Sequence, residues 1–403
     1  MTKRTICATT LLLLTLLPSG VRADSLFGMS YFGQPTTLRD ARIEGRGGMG
    51  LAYRDSVNAS VMQATQLVDL TQVTIGVSNV FSRRTSEDVG GALDRNGLST
   101  PTVRLGLPVF DNGGVGLGFG ARRATQWTIV RDFAPDPTLT ETLDRSGTLF
   151  DVPIQAAWRF ADRVTVGAGL HLLRGNVRME YELDLPASGA TDPTDEREDI
   201  YQGTATEFSL AVHDVGPVSV AGYWISDFDA DVEERQRGVA LSDRSDGERT
   251  DEMPARYGAG IRVDLPGDWS AGVDYTAEDW SSYTGRSFRF GEDGAFDPDA
   301  PAQDLNDEIE WRFGLEREAR RRGFGATLPV RAGAYWRQWH YQLNGSDVTE
   351  WGVTLGSGVY LRGGSARADL SIGYSRIGDL DENGASEDVF RIVLSIAGGE
   401  RWY

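Results

Sequence analysis

Beyond its first 23 residues the chain has neither lysine nor cysteine: Lys3 is the only lysine and Cys7 the only cysteine among 403 residues. Without cysteine there is no disulfide framework, thiol nucleophile or thiolate metal site to consider. Without lysine, and with 59 acidic against 40 basic residues, the basic face that nucleic-acid binding needs is missing. Histidine is scarce too. His171, His213 and His340 share no ligand spacing, and no G-x-S-x-G elbow occurs, so the chain predicts no metal, no cofactor, no catalytic residue and no enzyme. After residue 23 no run reaches the roughly 18 apolar residues of a transmembrane helix.

Lys3 and Arg4 precede an apolar run from Ala8 to Leu17, and Val21-Arg22-Ala23 supplies a V-x-A cleavage pattern. Residues 1–23 therefore read as a signal peptide for export. The run holds about ten residues, where a membrane-crossing helix needs roughly 20. Cys7 lies before the run instead of at its end, which argues against a lipoprotein. Removing Lys3, Arg4 and Arg22 leaves 37 basic residues against 59 acidic ones, a net charge of −22.

What the chain does have is alternation. In Ala366–Tyr374, one face carries Ala366, Ala368, Leu370, Ile372 and Tyr374, and the other Arg367, Asp369, Ser371 and Gly373. This is the period of a strand with two unlike faces. About fourteen such segments are predicted, near 71–83, 100–110, 114–133, 147–161, 163–184, 200–214, 217–234, 254–265, 268–289, 305–319, 328–343, 348–362, 365–378 and 387–399. Many exceed the ~9–11 residues needed to cross a membrane obliquely. Short turn-like links alternate with longer acidic loops at 84–99, 134–146, 185–199, 235–253 and 290–304. That layout predicts an all-β, antiparallel, up-and-down transmembrane barrel with the short turns on the periplasmic side. Trp127, Trp158, Trp224, Trp269, Trp280, Trp311, Trp336, Trp339 and Trp351 fall in or near strands, as membrane-interface girdles require.

Residues 24–70 do not alternate. They contain Gly45-Arg-Gly-Gly-Met-Gly50-Leu-Ala-Tyr-Arg-Asp55, a glycine cluster without the lysine, strand and helix of a phosphate loop. A signal peptide, this cluster, and a short stretch leading to the first strand together resemble the FadL-type long-chain fatty acid and hydrocarbon transporters and the related PorV-like barrels. The likeness spans the chain in layout but only residues 40–70 in motif. It implies a hatch, or plug, at 24–70 inside a fourteen-stranded barrel at 71–403, with Gly45, Gly47, Gly48, Gly50 and Asp55 in the hatch motif. The chain departs from the family at Gln63-Ala64-Thr65, where an Asn-Pro-Ala is usual. The terminal Trp402 and Tyr403, with Phe390, Ile392, Leu394 and Ile396 before them, match the signal read by the barrel-assembly machinery.

Arg104, Arg122, Arg262, Asp274, Arg331 and Arg367 lie opposite the apolar positions, as do Arg159, Asp264, Glu310, Arg312, Arg337, Asp369 and Arg391. Facing lipid, each arginine would cost ~2–4 kcal/mol near the midplane, so this face is expected to line a wet or plugged lumen. There the charges either pair and hold the hatch or grip a carboxylate head group. The expected function is passive outer-membrane uptake of a hydrophobic small molecule by a monomer in outer-membrane lipid. Gly114, Gly116, Gly118 and Gly120 are candidates for bending a strand toward a lateral exit. The competing readings are a general porin and a non-transporting subunit of a secretion or envelope-assembly complex.

Overall fold

In a computed structural model, the chain is described from residue 25 to 400 except 29–31, 37–38, 61, 89, 100–101, 134–135, 186–193, 239–246, 287–288, 291–295, 298–304, 319–327 and 362–363. The expected signal peptide and the terminal Trp402 and Tyr403 lie outside the described residues. The barrel strands are β1 (Val73–Asp88), β2 (Gly91–Leu98 and Thr102–Val109), β3 (Gly113–Phe133), β4 (Asp136–Phe160), β5 (Val164–Asp184), β6 (Thr194–Val215) and β7 (Val218–Ile225 and Phe228–Gly238). They continue as β8 (Gly247–Met253 and Arg256–Leu265), β9 (Trp269–Glu278), β10 (Glu308–Arg317), β11 (Val330–Leu343), β12 (Ser346–Leu361), β13 (Ala366–Ile377) and β14 (Ala385–Glu400).

A sheet in hydrocarbon can leave no edge, because unpaired backbone groups find no water there. This sheet closes on itself. Each strand pairs antiparallel with the next, and β1 pairs with β14 from Val73 opposite Glu400 to Asp88 opposite Ala385. The result is a fourteen-stranded up-and-down transmembrane barrel. At one end the strands turn tightly, with Asp162, Asp214 and Asp268 at positive φ. The expected loops at 84–99, 134–146 and 235–253 are largely absent, because the flanking strands run on as hairpins through most of those residues.

The apolar face points out, as lipid requires. Leu370 and Ile372 are 47% and 41% exposed, while Arg367, Asp369 and Ser371 between and beside them are buried. Register then joins outward aromatics of neighbouring strands into a belt: Phe208 opposite Trp224, Tyr275 opposite Trp311, Trp311 opposite Trp336, Trp336 opposite Trp351, and Tyr374 opposite Phe390. Tyr275 and Trp311 have ring centroids 4.8 Å apart. Trp127, Trp280 and Trp339 do not belong to this belt. All three are buried inside, Trp280 because β9 stops at Glu278 and the chain turns inward, where a longer strand was expected.

The two faces exchange character partway along the tall strands. On β5, Val164, Val166, Ala168, Leu170 and Leu172 face out, and Thr165, Gly167 and His171 face in. That apolar stretch has the length a membrane crossing needs, ~9–11 residues. Beyond it Arg174, Asn176 and Arg178 face out, and Leu173, Val177 and Met179 are buried inside. Leu173 and Val177 of this outer part belong to one cluster with Leu149, Tyr201, Val232, Met253, Trp280, Tyr283, Trp339, Tyr341 and Val389. Phe27 and Phe32 of the N-terminal segment insert into it.

Replacing Leu370 by arginine puts a cation against lipid near mid-strand and is expected to cost ~2–4 kcal/mol in urea unfolding from lipid vesicles. Unchanged stability would contradict the assignment of this face to lipid.

Candidate functional site

Residues 40–70 meet the inner faces of the strands. Asp40 caps the short helix α1 (Ala41–Glu44) by accepting a hydrogen bond from the Ile43 N–H at 2.8 Å. The chain then turns through the glycine cluster and lies flat on the wall. Gly47 has φ +70°, and a Cβ there would sit 2.7 Å from backbone atoms of Ala334. From the other side, a Cβ on Gly333 would sit 2.1 Å from the Arg46 carbonyl carbon, and Gly356 bears in the same way on Gly45. Glycines on both surfaces thus allow backbone to pack on backbone. Gly48 (φ +82°) lies beside the Arg39 guanidinium. The N–H groups of Gly50 and Leu51 both donate to the Asp274 carboxylate, at 2.6 and 2.9 Å.

Next to this contact lies an ion network centred on Glu316 of β10. Its carboxylate accepts from Arg42 at 3.0 Å, Arg46 at 2.8 Å and Arg331 at 2.7 Å, and all four side chains are buried. Arg331 also reaches Asp369 at 2.9 Å, and Asp369 pairs with Arg367 at 2.5 Å. Arg367 returns to the N-terminal segment, donating to both oxygens of Asp55 at 3.1 and 2.6 Å, while Arg42 reaches the same carboxylate at 3.0 Å. Burial alone would raise the Asp55 carboxyl. The Arg367 and Arg42 guanidinium groups outweigh burial and hold it well below the usual carboxylate range.

Other inward residues divide among smaller contacts. Arg104 donates to Ser78 at 2.5 Å and lies 4.0 Å from Asp40. Arg262 pairs with Asp264 and covers the Tyr53 ring at 4.9 Å. Gly114 and Gly116 face Leu67 of the 3-10 turn Ala64–Asp69, whose carbonyl fills the space a Cβ on Gly114 would take and whose side chain fills that of Gly116. Gly118 and Gly120 continue the buried face. Glu207 accepts the Ala64 N–H at 2.7 Å and His171 Nε2 at 3.0 Å, and His171 Nδ1 meets Asp151 at 2.9 Å. Parity alone marks Glu316, four and six residues from the inward Arg312 and Glu310, yet it was not singled out from sequence. Arg42 and Arg46 carry no parity signal because their segment does not alternate.

The wall itself has an interruption. β2 pairs with β3 only from Val103 opposite Phe119 to Val109 opposite Gly113, and the outer part of β2 pairs with β1 alone. Gln34 and Pro35 take up the freed edge of β3, opposite Ala124 and Arg123. The Thr36 N–H adds a bond to the Arg122 carbonyl at 2.9 Å, and the Gln34 side chain accepts from Arg84 of β1 at 2.8 Å. The N-terminal segment therefore bridges β1 and β3 where the wall parts.

Comparison with solved structures places the chain in the FadL-type fold. It is similar to a FadL homologue of Pseudomonas aeruginosa with a TM-score of 0.65 at 13% identity, covering 89% of this chain and 98% of that one. It is similar to the toluene transporter TbuX of Ralstonia pickettii (TM-score 0.61, 15% identity, 91% and 98% covered). The toluene transporter TodX of P. putida aligns with a TM-score of 0.60 at 14% identity, over 91% and 99%. At these identities the likeness is one of fold. A family model described as BamG matches residues 225–403. No curated protein matches the sequence.

Glu316→Gln removes the charge shared by three buried guanidinium groups and is expected to destabilise the barrel by ~3–5 kcal/mol in urea, with faster trypsin cleavage after Arg42 and Arg46. For Asp55 the folded value is depressed, so its contribution is complete above the ordinary carboxylate value of ~4 and fades only as pH falls through the lower folded one. Trypsin is inactive in that range, so pepsin serves: the segment should resist it at pH 4, and Asp55→Asn should be cut. Equal resistance of the two proteins would refute the role given to Asp55.

Proposed function

We propose that this chain is an outer-membrane protein for passive uptake of hydrophobic small molecules, such as long-chain fatty acids or hydrocarbons, with residues 24–70 as its plug. The observation that carries this reading is the inverted polarity of the outer lumen. Charged residues face water there, and inside lies an apolar and aromatic cluster in which Phe27 and Phe32 are seated, beside buried ion pairs of Arg197 and Arg249 with Asp199 and Asp251. An apolar molecule leaving water gains by packing against such a cluster, at ~25 cal/mol per Å² of apolar surface buried. Below it, the contacts of residues 40–70 with strands around the barrel close the straight path to the periplasm. The remaining way out is sideways, through the interruption between β2 and β3 that Gln34–Thr36 spans. In this reading the glycines of β3 admit Leu67 and keep that wall thin beside the exit.

The strap offers a direct test, because Cys7 is the only native cysteine and lies within the expected signal peptide. Gln34→Cys with Ala124→Cys places two thiols at paired positions. Oxidation should abolish uptake of a radiolabelled long-chain fatty acid by cells that rely on this protein, and reduction should restore it. Uptake indifferent to the crosslink would sink the lateral route. In planar bilayers the native protein should show no stepwise conductance; large open steps would favour a porin.

A further inference from the structure

Below the apolar cluster and beside the strap lies a cavity of about 130 Å³ with a lining of opposite character. It has room for roughly four water molecules at about 30 Å³ each, and is well short of the ~300 Å³ at which drug-sized ligand pockets begin. Six arginines line it against four carboxylates, Asp151, Glu278, Glu308 and Glu310. His171, also on the wall, is held between Asp151 and Glu207. Each of the four carboxylates is already engaged. Glu278 accepts from Arg122, Arg123 and Trp280; Glu308 accepts from Arg123; Glu310 accepts from Arg39 and Arg337; and Asp151 pairs with Arg256.

The arginines are not used up in return. Arg122, Arg123 and Arg312 are each more than nine-tenths buried. Among the described residues, Arg122 Nε, Arg123 Nε and Nη1, and Arg312 Nε have no hydrogen-bond partner. The excess has a local cause in the backbone. A bulge in the β3–β4 ladder between Ala121 and Arg123 breaks the alternation, so two consecutive arginines both turn inward. Buried donors of one sign, gathered on one small cavity, want an acceptor of the other sign.

We propose that this cavity binds a small oxyanion, a carboxylate or phosphate group of a few heavy atoms, through Arg122 and Arg123. Oxygen acceptors match the planar fork of guanidinium, and about 130 Å³ suits a group of a few heavy atoms better than a long alkyl chain. The same chemistry could arrive as a free ion or as the head group of an amphiphile. The size of the cavity favours the free ion. The inference does not rest on the transport reading, since a barrel that carries hydrocarbons could hold such an ion or lack it.

The test is calorimetric titration of the full-length barrel, in a detergent without charge, with inorganic phosphate, acetate and decanoate in separate arms. Saturable binding of phosphate or acetate at one site is expected. Arg122→Gln should weaken it by ~tenfold or more, the loss of a charge-assisted hydrogen bond. Arg122 makes a single 3.4 Å contact with Glu278, so this variant keeps the barrel's ties, and unshifted heat-modified mobility on gels confirms that it folds. Absence of saturable phosphate and acetate binding overturns the proposal, as does unchanged affinity in a folded Arg122→Gln, Arg123→Gln double variant. Binding of decanoate alone overturns the small-ion assignment in favour of a head group.

Discussion

Lipid outside the barrel forces charge inside, and charge inside must find its partner. From this constraint most of the molecule follows. Within the lipid-facing band the outward positions are given to Leu, Ile, Val and aromatics, so the ionisable residues there collect on the inner face. A lone carboxylate or guanidinium there would carry a heavy desolvation cost, and pairing across the ladder meets only part of it. The N-terminal segment supplies further partners. Arg42 and Arg46 pair with Glu316, Asp55 pairs with Arg367, and two backbone N–H groups donate to one oxygen of Asp274. The wall and its contents are therefore one electrostatic unit, each unsatisfied without the other.

Much of this is legible in the sequence. Period-two alternation marks the strands, and parity points to Arg104, Arg262, Asp274, Arg331 and Arg367 as inner-face charges; of these Arg104, Asp274, Arg331 and Arg367 are buried and Arg262 is partly buried. The glycine cluster was recognisable as a distinct element, though only the structure shows that it faces glycines of β10, β11 and β12. Parity fails where the ladder does. Arg123 reads as outward by simple alternation, and only the bulge at Ala121–Arg123 turns it inward. The parting of β2 from β3 leaves no mark in either strand's own pattern.

The exchange of faces along β5 was hidden for a different reason. A period of two is the same whichever face is greasy, so Leu173, Val177 and Met179 extend the pattern of strand residues without announcing that lipid has ended and water begun. For the same reason the outer hairpins read as loops: their outward residues are charged, and acidic composition looked like irregular structure. Trp280 and Trp339 were assigned to the interface because aromatic content alone cannot tell a membrane belt from an interior cluster.

Strand length carries one more consequence. β4 has 25 residues, while β9 and β10 on the opposite arc have 10 each. At ~3.3 Å per residue those are paths of about 80 Å and 33 Å. Among the described residues the rim is thus steeply canted, a high screen on one side and a low sill on the other. The aromatic interior is walled by strand on the side of β4, whereas β9 and β10 stop short of it, at Glu278 and Glu308.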